Sequence, residues 1–216
     1  MEQLKPNSLQ LNAYREIKRR IATLVYRPGE QINTARICAQ LKIGRTPVHL
    51  AIHRLELEGL IEILPRRGVV VRPIDHAEIM EAVEARLLVE PQVAALAAAR
   101  ASEREFAAIR AALDGIAPHL ATGDSEKFME ADCDFHRILA RSARNRPLGD
   151  LLAALHERCM RVYFLSVSRN EHDVRIMKEH EAIFEALTSR DSTAASDAMR
   201  RHIESLRKNI RPLLTS

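Results

Sequence analysis

The chain has 216 residues, 46% of them hydrophobic, enough for one large or two modest cored domains, and no apolar run approaches the ~20 residues that cross a bilayer. The formal charge of +4 hides an asymmetry: residues 1 to 74 carry 13 Lys/Arg against 6 Asp/Glu, whereas residues 75 to 216 carry 20 against 23. The basic first third is therefore where nucleic-acid contacts are expected, and the scattered Cys38, Cys133 and Cys159 give neither a disulfide framework nor a zinc-knuckle spacing.

Tyr14, Ile17, Ile21 and Leu24 recur at helical spacing until Arg27-Pro28-Gly29 ends the pattern. A second, shorter helix is predicted from Thr34 as cap through Ile37, Cys38 and Leu41, broken at Lys42-Ile43-Gly44. The third is capped by Thr46, has Pro47 at its first position, buries Val48, Ala51, Ile52 and Leu55, and ends at Gly59. Leu60 to Leu64 and Val69 to Val71, joined by Pro65-Arg66-Arg67-Gly68, read as a hairpin. Three helices and a hairpin make a winged helix-turn-helix, assigned to residues 1–73.

From Pro73 onward the apolar residues keep helical spacing and no strand is convincing. Residues 74–216 are predicted as an all-helical domain of about six helices, over 75 to 100, 103 to 121, 124 to 141, 147 to 168, 172 to 189 and 192 to 211. The fold class is thus mainly α. The beginning of the chain lacks the basic and apolar segments of a secretory leader, so a cytoplasmic protein without a membrane partner is expected.

On the third helix, the residues outside the buried stripe are Arg45 and Thr46 at the N-terminus, then His49, His53 and Glu56. A recognition helix presents such positions to the major groove, where arginine bonds guanine through two hydrogen bonds. Arg66 and Arg67, beside a turn-permitting glycine, suit a phosphate or minor-groove contact from the hairpin tip.

In the helical domain, Asp132 and His136 lie one turn apart among Phe128, Phe135 and Leu139. His180 shares the stripe of Ile176, Ile183, Phe184 and Leu187, and His202 that of Ala195, Met199, Leu206 and Ile210. Each of these two histidines is eleven residues from Asp191, near the turn, so an antiparallel hairpin brings them level. One carboxylate and three imidazoles suit a divalent ion such as zinc, nickel or manganese; each histidine taken singly also fits a hydrogen-bonded core residue. The other histidines, His49, His53, His76, His119, His156 and His172, show no such stripe and receive no metal role. Arg86, bordering Met80, Val83 and Leu87, either holds a carboxylate ligand or pairs with Glu90 on a solvated face. Arg158, Arg161 and Tyr163 are weaker candidates for the same pocket.

The run from Arg27-Pro28-Gly29 through Gly44-Arg45-Thr46-Pro47-Val48, with Arg54-Leu55-Glu56-Leu57-Glu58-Gly59-Leu60 and Pro65-Arg66-Arg67-Gly68, resembles the winged helix of the GntR family. The helical remainder resembles that family's FCD subgroup. The resemblance implies DNA contacts at Arg45 and Thr46, and marks Gly44 and His49 as departures from the usual serine and arginine. It also implies a metal held by Asp132, His136, His180 and His202 and an organic-acid effector bound at Arg86. Half-sites one helical turn apart on double-stranded operator DNA make a homodimer the expected assembly. A repressor controlled by a small carboxylate at a metal-containing pocket is the expected function. The alternatives are a metal-dependent hydrolase using the same Asp/His site, and a metal-sensing regulator with no organic effector. The chain has neither His-Glu-x-x-His nor a nucleophile motif beside the quartet, so no enzyme is expected.

Overall fold

A computed structural model describes residues 6–167 and 173–214. The chain divides into two compact units, Met1–Ile74 and Asp75–Ser216.

The first unit contains α1 (Pro6–Ala22), β1 (Gln31–Ile32), α2 (Thr34–Leu41), α3 (Arg45–Leu57), β2 (Ile61–Leu64) and β3 (Gly68–Val71). The predicted apolar stripes meet in one core, where Ile17, Ile21, Ile37, Val48, Ile52 and Leu55 are buried together with Ile61 and Val71. Two capping assignments are corrected. Asn33, one residue before Thr34, is in extended backbone, and its side chain accepts the Arg36 N–H. The cap of α3 is Gly44, which makes no side-chain bond, so Thr46 and Pro47 lie inside the first turn of that helix. Helices α2 and α3 are joined through Lys42, whose φ of 54° is left-handed.

Strands β2 and β3 pair antiparallel from Ile61 opposite Val71 to Leu64 opposite Gly68. The two-residue β1, absent from the sequence reading, pairs with the other edge of β3 through Gln31 and Ile32. At the hairpin tip Arg67 donates its N–H to the Leu64 carbonyl at 3.2 Å, with Pro65 and a left-handed Arg66 between them, the arrangement of a type II turn. Gly59 links α3 to this hairpin at φ 72°, and a Cβ there would lie 2.9 Å from an Arg72 nitrogen. Gly59→Ala should therefore cost about 1–2 kcal/mol of stability, chiefly from the left-handed backbone. A loss below about 0.5 kcal/mol in urea unfolding would contradict this.

The second unit is a bundle of α4 (His76–Arg100), α5 (Glu103–Thr122), α6 (Ser125–Ser142), α7 (Arg146–Val167), α8 (Asp173–Thr188) and α9 (Ser192–Leu214). The expected ends at 168 and 172, and His172 itself, lie outside the described residues. Aspartates start three of these helices: Asp75 accepts from Ala77 and Glu78, Asp124 from Lys127, and Asp191 from Thr193 and Ala194. Such caps satisfy N–H groups that the first turn leaves without partners. Phe128, Phe135, Ile109, Leu113, Ile183 and Ile203 are buried, and α4, α6, α7, α8 and α9 converge around the residues considered next.

Candidate functional site

In the first unit, α3 buries Val48, Ala51, Ile52 and Leu55 and leaves the opposite face to solvent. Arg45, Thr46, His49 and His53 are all exposed on that side. The Arg45 guanidinium makes no ion pair among the described residues, whereas Arg19 and Arg20 are both held by Glu16. His53 Nδ1 lies 3.4 Å from Glu56, and the other Glu56 oxygen accepts the Ile63 N–H at 3.2 Å. Thus the one acidic group beside His53 is tied to the hairpin. Leu50, 48% exposed next to His49, was missed in the sequence because leucine on a helix reads as core. An exposed leucine on a base-reading face can meet a thymine methyl. Arg66 and Arg67 are exposed at the hairpin tip.

The orientation of α3 is braced at its far end. Tyr14 on α1 donates to Glu58, Lys18 reaches both Tyr14 and Glu58, and the Arg54 guanidinium lies 3.8 Å from the Tyr14 ring centre. Partial burial alone would raise the Glu58 pKa, but the bonds from Lys18 and Tyr14, then that from Arg54, keep it below its ordinary value.

In the second unit, Asp132 and His136 on α6, His180 on α8 and His202 on α9 are all buried. A ring nitrogen from each of His136, His180 and His202 lies within 4.8 Å of the others. Asp132 Oδ1 is 3.3 Å from His180 Nε2, and its other oxygen is 4.0 Å from His136 Nε2. The residues drawn from three helices therefore come together around one point. Among the described residues, none of the Asp132 Oδ1, His180 Nδ1 and His180 Nε2 atoms has a hydrogen-bond partner. Buried polar atoms left that way cost about 1–3 kcal/mol each, and a bound cation is one way to satisfy them.

The outer nitrogens of two of these histidines face carboxylates. His202 Nδ1 is 3.0 Å from Glu179, and His136 Nδ1 is 3.5 Å from Glu90. Metal-binding histidines are commonly oriented this way, with the far nitrogen donating to a carboxylate and the near one carrying a lone pair. Burial, reinforced by the neighbouring His202 and His136, pushes the His180 pKa well below its ordinary value, and burial lowers that of His156 as well. Both imidazoles are thus neutral near pH 7. A histidine depressed by folding takes up its proton more readily in the unfolded chain. The stability of the metal-free protein should accordingly be full above about pH 6.5 and be lost progressively as pH falls below it. A thermal midpoint that rises on acidification from pH 7 to 5.5 would contradict this assignment.

Arg86, 6% exposed, pairs with Glu90, 1% exposed, so the predicted one-turn pair exists but is buried instead of solvated. Pairing with Glu90 outweighs the burial that would lower the arginine's pKa. Its guanidinium lines a cavity of about 30 Å³ with Asp132, His136, Tyr163, His202 and Asn209. That is room for two or three waters or the head of a small carboxylate. Tyr163 Oη is buried in this region beside Asp132, and burial followed by the Asp132 charge raises its pKa well above the ordinary value. Arg161 is buried, but it does not line the cavity. Arg158 is directed elsewhere: its side chain is 56% exposed and lies 3.3 Å from Glu78.

His156, given no metal role from the sequence, lies beside the site. His156 Nε2 is 2.8 Å from Glu90, its ring meets that of His136 edge-on at 5.4 Å, and both rings line the cavity. Glu179, Ser205 and Asn209 also line it and were not anticipated. Ser205 and Asn209 follow His202 at helical spacing on α9, which was the available signal.

Residues 9–71 match the model of the bacterial regulatory proteins of the gntR family, and residues 75–205 match the FCD domain. The HTH-type transcriptional repressor RspR of Escherichia coli is 26% identical over 212 residues, covering 98% of this chain and 93% of that protein. Among solved structures, E. coli McbR/YncC superposes with a TM-score of 0.85 at 16% identity, over 95% of this chain and 98% of that one. A GntR regulator from a Rhodococcus species gives 0.78 at 22% identity, over 94% and 97%. These structural likenesses bear on the fold, while the matched models span both units. No described helix is long and apolar enough to cross a membrane. The chain belongs to the GntR family of bacterial transcription regulators and carries that family's FCD domain.

Proposed function

We propose that this regulator is a repressor whose operator affinity is set by a small carboxylate, bound with a divalent metal ion in the FCD domain. The observation that carries the reading is the buried convergence of His136, His180 and His202 beside Asp132, with polar atoms that make no hydrogen bond among the described residues. Asp132, His136, His180 and His202 would hold the ion. One carboxylate with three imidazoles suits zinc, nickel or manganese and leaves positions open for a further ligand. When bound, the ion supplies a positive charge that attracts an anionic effector. Arg86, with Glu90 holding one edge of the guanidinium, offers the rest of the guanidinium to the carboxylate.

On the DNA side, Arg45, Thr46, His49 and His53 face the major groove, and Arg66 and Arg67 reach the backbone or minor groove. Arg66 supports this reading because it occupies a left-handed turn position where glycine would be less costly. Half-sites one helical turn apart would be bound by a homodimer. In such a protein, a cytoplasmic site of action follows from the DNA target.

The test is selection of a binding site from random duplex DNA, followed by titrations of metal-loaded protein with carboxylic acids of increasing length. At least one short acid should change operator affinity tenfold or more, and Arg86→Met should abolish the response. Affinity that follows free metal alone would favour a metal sensor, and failure to select any sequence would refute the DNA-binding assignments.

A further inference from the structure

Glu90 lies on α4 one turn after Arg86 and is 1% exposed. Oε1 accepts from Arg86 Nε and lies 2.8 Å from His156 Nε2, while Oε2 lies 3.5 Å from His136 Nδ1. Paired with the Arg86 guanidinium, Glu90 is a carboxylate that accepts from the groups around it. An ionised carboxylate only accepts hydrogen bonds, so a nitrogen that bonds to it carries a proton. A proton on His136 Nδ1, the nitrogen facing Glu90, leaves the lone pair on Nε2, the nitrogen that faces Asp132. We propose that Glu90 is a positioning residue for His136, fixing the tautomer that aims a lone pair into the metal site, while Arg86 and His156 hold Glu90 in place.

This assignment rests on the metal reading above and adds a role to three residues outside the Asp/His quartet. The same groups invite a different interpretation. Ligand atoms of Glu90, His136 and His156 lie within 4.8 Å of one another, as in a second ion site. The Arg86 cation already occupies the Glu90 oxygen that His156 faces, and a second cation would have to displace it. A clamp needs no such displacement.

The experiment combines histidine-ring NMR with zinc competition. Long-range proton–nitrogen spectra of the metal-free wild type, assigned with His136→Gln, should show His136 protonated on Nδ1. Glu90→Gln should remove that preference and weaken zinc binding about 10- to 100-fold against a chromogenic chelator, without effector or DNA present. Glu90→Asp, which keeps the charge, should recover part of the affinity, and wild type should hold one zinc ion per chain. His136 protonated on Nε2 in the wild type would overturn the proposal. So would a folded Glu90→Gln protein with zinc affinity within twofold of wild type, or two ions per wild-type chain falling to one in that variant. A wild type that takes up no zinc would refute the underlying metal reading, whereas the His136 spectrum tests the Glu90 bond separately.

Discussion

His180→Ala should abolish tight metal binding and make the protein insensitive to chelators. His180 is fully buried, burial keeps it neutral, and neither ring nitrogen makes a hydrogen bond among the described residues. Removing it would take away the proposed ligand 3.3 Å from Asp132 and open a void beside Phe135, whose ring centre is 4.6 Å from that of His180. A ligand present at a thousand times its dissociation constant stabilises the folded state by about 4 kcal/mol. Wild-type protein should therefore lose about that much stability when stripped, and the variant should lose almost nothing further. The measurement is thermal unfolding of both proteins with excess zinc and with a strong chelator. Equal chelator effects on the two would show that His180 is not a ligand.

Arg45→Ala should weaken specific operator binding about 10- to 100-fold, the equivalent of one lost two-bonded contact to a base. Binding to unrelated DNA should change much less. Arg45 begins α3, is exposed and has no ion pair among the described residues, so its removal leaves the core unaltered. Arg19→Ala is the control, since that guanidinium is bound to Glu16 at 3.0 Å. Competition gel shifts with operator and scrambled duplexes would decide the matter. Equal losses on both DNAs would make Arg45 a phosphate contact, and unchanged binding would remove it from the interface.

The fold was legible where local periodicity is enough. Ile17 and Ile21, or Ile176, Ile183 and Leu187, repeat at helical spacing, and the structure buries each of them. Cap residues were less secure, because Asn33 and Thr34 are adjacent and both capable of capping. The choice is made by the extended backbone at Asn33. Strand β1 escaped notice because two residues carry no alternation; it exists through its pairing with β3.

The same distinction applies to the candidate site. Asp132 and His136 share one helix face, and His180 and His202 face each other across a short helical hairpin, so near-neighbour geometry sufficed to suggest their convergence. Glu90 and His156 are 66 residues apart and meet only because α4 packs on α7. No spacing rule predicts that register. Arg86 illustrates the intermediate case: its pairing with Glu90 follows from one helical turn, but burial of the pair follows from the helices packed around it.

X-ray absorption at the zinc edge of metal-loaded wild type tests the central claim most directly, because it reports the atoms bound to the ion. The account predicts a nitrogen and oxygen shell at about 2.0–2.1 Å with scattering from three imidazole rings. A sulfur shell near 2.3 Å would instead place the ion on cysteine and contradict the Asp132, His136, His180 and His202 assignment.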